Sequence, residues 1–156
     1  MNGSITVRPA CTRDVDAIFR LLELYTASGI VLKRSKEDIT GYLANFIVAE
    51  KNGVVCGCCA ARDFGHDLLE VRSLVVDPSC QGMGIGKMMV NSIIDRLNRE
   101  REDWRLFTLT LQVEFFRSLG FAMVDKESFP EKIWSDCSKC PKYSCCDETA
   151  LLLEKK

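Results

Sequence analysis

The chain has 156 residues, 47% hydrophobic and 28% charged, with a net charge of -1, which suits one folded domain around one core. The near-even charge gives no cationic excess for nucleic acid or an anionic membrane surface, so neither is expected as a partner. No apolar run approaches the roughly 18 residues of a membrane span, and Met1 to Thr6 lack a basic stretch followed by an apolar one, so no signal peptide is expected.

Ile5 to Arg8 alternate and lead to Pro9, the pattern of a first strand. Thr12 reads as a helix N-cap; Val15, Ile18, Phe19, Leu21, Leu22 and Tyr25 then recur at helical spacing, up to a stop at Gly29. Ser35-Lys36-Glu37-Asp38 resembles a capping box before a short helix through Tyr42 and Leu43. Phe46 to Ala49 is a strand, Asn52-Gly53 a hairpin turn whose two positions need positive φ, and Val54 to Ala61 the return strand. Gly65-His66-Asp67 makes another turn, and Leu68 to Val76 a third strand that Asp77-Pro78 stops. A helix from about Gly84 to Arg99 would bury Met88, Met89, Ile93, Ile94 and Leu97. Leu106 to Leu111 is a strand, Glu114 to Leu119 a short helix ended by Gly120, Phe121 to Val124 a strand, and Thr149 to Leu153 the last strand. This order predicts an α/β class, a mixed sheet with helices on its faces. No repeat or long linker divides it, so residues 1–156 read as a single domain with a Cys-rich loop at 137–146 before the last strand.

Nine cysteines are many for this length. Cys56, Cys58 and Cys59 share one predicted strand, whereas a secreted disulfide scaffold spreads its cysteines between loops, so a reducing, cytoplasmic setting is expected. In the tail, Cys137, Cys140, Cys145 and Cys146 offer four thiolates to a tetrahedral zinc. The second pair is adjacent and the loop between the pairs cramped. A disulfide formed on oxidation, or free thiols packed as small hydrophobes, stay open beside zinc.

The most informative segment is Gln81-Gly82-Met83-Gly84-Ile85-Gly86. A helix start exposes unpaired N–H groups and partial positive charge, which phosphate oxygens satisfy when side chains are absent. Lys87 and the Gln81 amide are further candidate donors. A lone Gly-x-Gly is also an ordinary turn. A Walker loop is excluded because Met88, not Ser or Thr, follows Lys87. A dinucleotide fingerprint is excluded because the segment sits mid-chain after a hairpin meander.

Val75 to Lys87 resembles the Gln/Arg-x-x-Gly-x-Gly/Ala motif of the GNAT acetyltransferases. Phe115-Phe116-Arg117-Ser118-Leu119-Gly120-Phe121 resembles that family's helix ending in Gly-Phe, and the order of elements is similar along nearly the whole chain. The resemblance implies a GNAT fold with a splayed central sheet. Acetyl-CoA would lie in the gap, with its pantetheine arm along Leu74, Val75 and Val76 and its pyrophosphate on Gln81, Gly82, Met83, Gly84, Ile85, Gly86 and Lys87. Phe115 would be a further coenzyme contact. A primary amine would attack the thioester directly.

The flanking segments resemble a narrower group, the short single-domain N-acetylglutamate synthases. Ile30 to Ser35 is similar to that group's Arg-Ser segment, Leu68 to Val71 to its strand carrying a glutamate, and Leu106 to Phe116 to its next strand and helix. Phe129 to Pro141 and Cys146-Asp147-Glu148 are similar to its tail. The acceptor implied is L-glutamate, at the first step of arginine biosynthesis. Many members carry an arginine-sensing kinase-like domain, for which this chain has no room. Arginine is suited to hold a carboxylate bidentately, and Arg34 matches the group's substrate-binding arginine. Ser35 is a substrate contact or only a helix cap, and Lys132 and Lys33 are weaker cation candidates. Glu70 is the candidate general base, with a surface carboxylate as the alternative. His66 lies in a turn and reads as incidental. Many acetyltransferases place a tyrosine where this chain has Phe115-Phe116, which puts an acid role for that helix in doubt. Thr110 is the nearest hydroxyl, with buffer or water as substitutes. Other acceptors, namely a small amine or a protein N-terminus, stay open, as do a non-catalytic coenzyme sensor and a homodimer.

Overall fold

The computed structural model describes residues 4–26, 34–125 and 149–155. The chain forms two compact parts, Met1–Ala61 with Val71–Glu100 and Arg62–Glu70 with Arg101–Lys156.

The first part opens with strand β1 (Ile5–Pro9), helices α1 (Val15–Thr26) and α2 (Lys36–Gly41), and strand β2 (Phe46–Lys51). Strand β3 (Val54–Asp63), most of β4 (Leu68–Val76) and helix α3 (Ile85–Glu100) follow. β1 runs antiparallel to β2, from Ile5↔Lys51 to Pro9↔Ile47, and β2 antiparallel to β3, from Phe46↔Ala60 to Lys51↔Val54. Their hairpin turns at Asn52 (φ 54) and Gly53 (φ 78), the left-handed pair expected from Asn-Gly.

Helix α1 buries Val15, Ile18, Leu21 and Leu22, with Phe19 and Tyr25 packed beside them. Their neighbours in the core are Ile39 of α2, Phe46 and Val48 of β2, Cys58 and Ala60 of β3, and Val75 of β4. Burying one such aliphatic side chain contributes about 1.5–3 kcal/mol. Ser35 caps α2, its Oγ accepting from Asp38 N at 3.1 Å.

Two local expectations move. The cap ahead of α1 is Cys11 rather than Thr12, because Thr12–Asp14 form a 3-10 turn and Cys11 N donates to Asp14 Oδ2 at 2.8 Å. In α3 the buried face is Ile85, Met89, Val90, Ile93 and Leu97, while Met88 is exposed. The core seam follows the i, i+4 line through 85, 89, 93 and 97, and Met88 lies about 100° off it.

Gly57 explains how α3 seats. A Cβ at Gly57 would lie 3.0 Å from Met89 Cε and 3.3 Å from both Ile85 Cγ2 and the Val75 carbonyl oxygen. The glycine inside the cysteine-rich strand therefore marks a close approach of the helix.

The second part holds the start of β4, strand β5 (Arg105–Thr110), helix α4 (Val113–Ser118), and strands β6 (Ala122–Val124) and β7 (Thr149–Glu154). β4 pairs parallel with β5 through Leu68↔Arg105, Leu69↔Leu106 and Glu70↔Phe107. β7 runs antiparallel to β5 from Arg105↔Glu154 to Thr110↔Thr149, and antiparallel to β6. Leu68, Phe107 and Ala150 form its core, covered by Phe64, Leu109, Val124 and Leu152. Gly120 (φ 97) ends α4 as expected, and Phe121 then stacks edge-on against Phe116 at 5.2 Å. Across the described residues the strands hydrogen-bond in the order β1-β2-β3-β4-β5-β7-β6, the mixed sheet expected from the order of elements. Among these residues no helix is long and apolar enough to cross a membrane.

A buried carboxylate anchors the start of the chain. Asp14 is 3% exposed and takes a bidentate contact from Arg8, with Nη1 and Nη2 at 2.7 and 2.8 Å. Arg8 Nε also donates to Glu50. The hydrogen-bonded Arg8 holds the Asp14 carboxyl down at about 2, against an ordinary 3.8, despite burial pushing the other way. A depressed native pKa adds stability above the unfolded value, lost as pH falls toward the native one. Between about pH 4 and pH 2 the wild type should lose about 2 kcal/mol that Asp14→Asn does not lose. Urea unfolding of both proteins at pH 6 and pH 2 checks this; equal losses would show that the pair does not carry the acid sensitivity.

Candidate active site

The glycine turn is built from the end of β4. Val76 O accepts from Tyr25 Oη at 2.5 Å and from Gln81 Nε2 at 3.0 Å, and Gln81 Nε2 also reaches Tyr25 Oη at 3.0 Å. The Gln81 amide nitrogen, expected to face phosphate, is instead turned back to brace the turn. Asp77 follows, its Oδ1 accepting from Ser79 Oγ at 2.7 Å and Ser79 N at 2.9 Å, which holds its carboxyl below the usual range. Asp77 N donates to Cys56 O at 2.8 Å, tying the turn to β3.

Gly82 (φ 81) and Gly84 (φ 76) both adopt left-handed backbone, and a Cβ at either would meet nothing within 4 Å. Conformation demands glycine here, and the space above the backbone is open. The helical ladder of α3 begins with Met88 N donating to Gly84 O at 3.0 Å. The amides of Gly84, Ile85, Gly86 and Lys87 therefore lie ahead of it, aimed out of the helix start. An open backbone with several convergent N–H groups fits the pyrophosphate of a coenzyme.

Along β4 toward this turn, Leu74 and Val76 are half-buried and Val75 is in the core. Ser73, just before them, has φ 55, a left-handed residue inside a strand. Its carbonyl accepts from Cys58 Sγ at 3.6 Å. Such residues cost about 1–3 kcal/mol and gather at functional sites.

Glu70 is 3% exposed, which removes the reading of it as a surface carboxylate. Its register partner is Phe107, so by the pleat it shares a face with Leu68, Phe107 and Leu109. A carboxylate on so apolar a face costs several kcal/mol of desolvation unless it is compensated. Thr110 lies an odd number of residues from Phe107 and faces the other side of β5. Its Oγ1 accepts from Gln112 N at 2.8 Å, serving the turn into α4. The pleat therefore separates Thr110 from Glu70 rather than bringing them together. Phe115 is half-buried and stacks edge-on with Phe116 at 5.0 Å.

Arg34 is half-buried directly before the α2 cap, and Ser35 serves as that cap. His66 is exposed in its turn, and its carbonyl accepts from Arg105 Nη2 at 3.0 Å. Lys33, Lys132 and the four tail cysteines considered for zinc, Cys137, Cys140, Cys145 and Cys146, lie outside the described residues. Among the described residues no three His, Cys, Asp or Glu side chains gather as a metal cluster. Cys11, Cys56, Cys58, Cys59 and Cys80 are free. Burial pushes the Cys56 thiol up to about 11, helped by Cys80, and the Cys59 thiol up to about 12. The strand cysteines are packing groups, not nucleophiles. Sequence reasoning missed Tyr25, read only as part of a core face, and Ser73, for which no sequence signal existed.

A family model described as an acetyltransferase (GNAT) domain matches residues 43–123. An uncharacterized N-acetyltransferase of Chlorobaculum tepidum is 42% identical over 146 residues, which is 94% of each chain. An amino-acid acetyltransferase of Mycobacterium tuberculosis is 36% identical over 140 residues, covering 88% of this chain and 78% of that one. The fold is similar to N-acetylglutamate synthase from Neisseria gonorrhoeae, solved with coenzyme A and N-acetyl-glutamate. The TM-score is 0.86 at 26% identity, over 99% of this chain and 36% of that one. With the glycine turn, the Gly-Phe helix end and the strand order already in place, the protein belongs to the GNAT acetyltransferase family.

Proposed function

We propose that this protein transfers the acetyl group of acetyl-CoA to the α-amine of L-glutamate, giving N-acetylglutamate and CoA, the first step of arginine biosynthesis. The observation that carries the reading is Glu70, a buried carboxylate on the same strand that runs into the glycine turn. The amino-acid acetyltransferase of M. tuberculosis supports acetyl transfer to an amino acid, and the N. gonorrhoeae complex supports glutamate as that amino acid.

The turn amides hold the coenzyme pyrophosphate, and the backbone from Leu74 to Val76 runs beside the pantetheine arm. The Val76 carbonyl is already engaged by Tyr25 and Gln81, so the arm uses the other groups of that stretch. Arg34 takes a substrate carboxylate through its planar fork, with Lys132 a second cation candidate. The ammonium of free glutamate has no lone pair to attack with. Glu70 accepts one of its protons, through a water, and the nitrogen then attacks the thioester carbonyl carbon. A C–N bond forms, the tetrahedral intermediate passes its second nitrogen proton to water and collapses, the C–S bond breaks and the CoA thiolate leaves. Water then returns a proton to this thiolate.

The test is thiol release from acetyl-CoA with each amino acid in turn. Release with L-glutamate alone is the expected result. Glu70→Gln should lower kcat by about a hundredfold or more. Arg34→Ala should raise KM for glutamate by about tenfold to a hundredfold while leaving KM for acetyl-CoA nearly unmoved. No release with any amino acid, from a protein that binds CoA, would discard the glutamate reading in favour of another acceptor or a sensor.

A further substitution probes the turn. Gly84→Ala forces a side-chain residue into left-handed backbone at about 1–2 kcal/mol. A lower unfolding temperature together with weaker CoA binding by calorimetry is expected. Unchanged CoA affinity would remove Gly84 from the phosphate site.

A further inference from the structure

Two lysines flank the glycine turn, and only one is near it in the sequence. Lys87 is exposed in the first turn of α3. Lys51 arrives from the last residue of β2, and its Nζ lies 3.8 Å from Sδ of Met83, the residue between the two left-handed glycines. Among the described residues neither ammonium has a carboxylate within ion-pair distance. Other lysines are placed differently: Lys36 pairs with Asp16 at 3.0 Å, and Lys155 donates to Arg101 O at 2.7 Å. Glu50, the nearest acid in sequence to Lys51, is committed to Arg8.

This arrangement runs against local electrostatics. A helix start carries partial positive charge and favours anions over cations. A thioether is only a weak acceptor, so Met83 does not satisfy the Lys51 ammonium. Two cations held beside a positive helix end, without a carboxylate between them, reach a low energy when an anion joins them. The ligand that the turn already implies carries such anions, a pyrophosphate and a 3′-phosphate on the ribose.

We propose that Lys51 is a phosphate-binding residue of the coenzyme site, carried to the turn by the β2–β3 hairpin and ligating a phosphate oxygen of CoA. The assignment rests on the acetyl-CoA reading of the turn and adds to it a residue that lies in neither family motif. The hairpin geometry accounts for its reach. The left-handed turn at Asn52 and Gly53 ends β2 at Lys51, on the side of the β-structure where the Met83 loop lies.

The experiment is calorimetric titration of the full chain with CoA and with 3′-dephospho-CoA, using wild type, Lys51→Met and Lys51→Arg. Lys51→Met keeps the aliphatic stem and removes the charge. It should weaken CoA binding about tenfold, with the unliganded thermal midpoint unmoved, and Lys51→Arg should restore most of the affinity. A loss confined to CoA assigns Lys51 to the 3′-phosphate; an equal loss with both ligands assigns it to the pyrophosphate. Lys51→Met binding both ligands as wild type does would overturn the proposal. No amino acid enters the titration, so that result would leave the glutamate reading standing, whereas a wild type that binds no CoA would remove both.

Discussion

The glycine turn depends on one carbonyl. Val76 O receives the Tyr25 hydroxyl and the Gln81 amide together, so the strand's last acceptor is spent on side chains rather than on a neighbouring strand. Three segments meet at that oxygen: the end of α1, the end of β4 and the first residue of the glycine motif. With the strand end fixed, Asp77 turns the chain and Gly82 and Gly84 bend it through left-handed backbone. Gly57 then lets α3 pack closely on β3 through Met89 and Ile85, which sets where the helix start and its amides lie. Together these steps, some local and some between distant segments, aim a row of N–H groups outward, the condition for holding a phosphate.

The described residues also show how two buried carboxylates come to differ. Asp14 meets a bidentate guanidinium and the Cys11 amide, so its ionised form is strongly favoured and its work is structural. Glu70 sits on a strand face it shares with Leu68, Phe107 and Leu109. Burying a polar group costs free energy unless it is hydrogen-bonded, and the catalytic role proposed for Glu70 would account for a carboxylate at this place. The strand cysteines fall on the other side of this division. Burial keeps their thiols protonated, which removes nucleophilic chemistry from β3 and leaves them as small core residues.

Much of the architecture was legible because it rests on short-range rules. Asn52-Gly53 demanded a tight hairpin, Ser35 a helix cap, Gly120 a helix end and β4 its full Leu68–Val76 span, and all four are found. Where the reading slipped, a neighbour distant in sequence decided. Thr12 is a better cap than Cys11 by residue type, but Asp14 bonded to Arg8 draws in the Cys11 amide. Met88 is as apolar as Val90, but the groove above Gly57 selects the 85-89-93 line. Thr110 is the nearest hydroxyl by position, but the pleat of β5, paired with Phe107↔Glu70, turns it away.

The sequence by itself determined the class of fold, through the order of its strand and helix patterns, and its glycines at fixed spacing before a helical pattern pointed to a phosphate-bearing ligand, because they are a backbone requirement readable from residue types alone. It also singled out Glu70 as a candidate. Only the tertiary structure decided that this carboxylate is buried, that the Gln81 amide is spent on Tyr25 and Val76, and that Lys51 reaches Met83. The last two pairs are 56 and 32 residues apart in the chain. Such pairings arise from how strands register and how helices pack, and no local propensity encodes them.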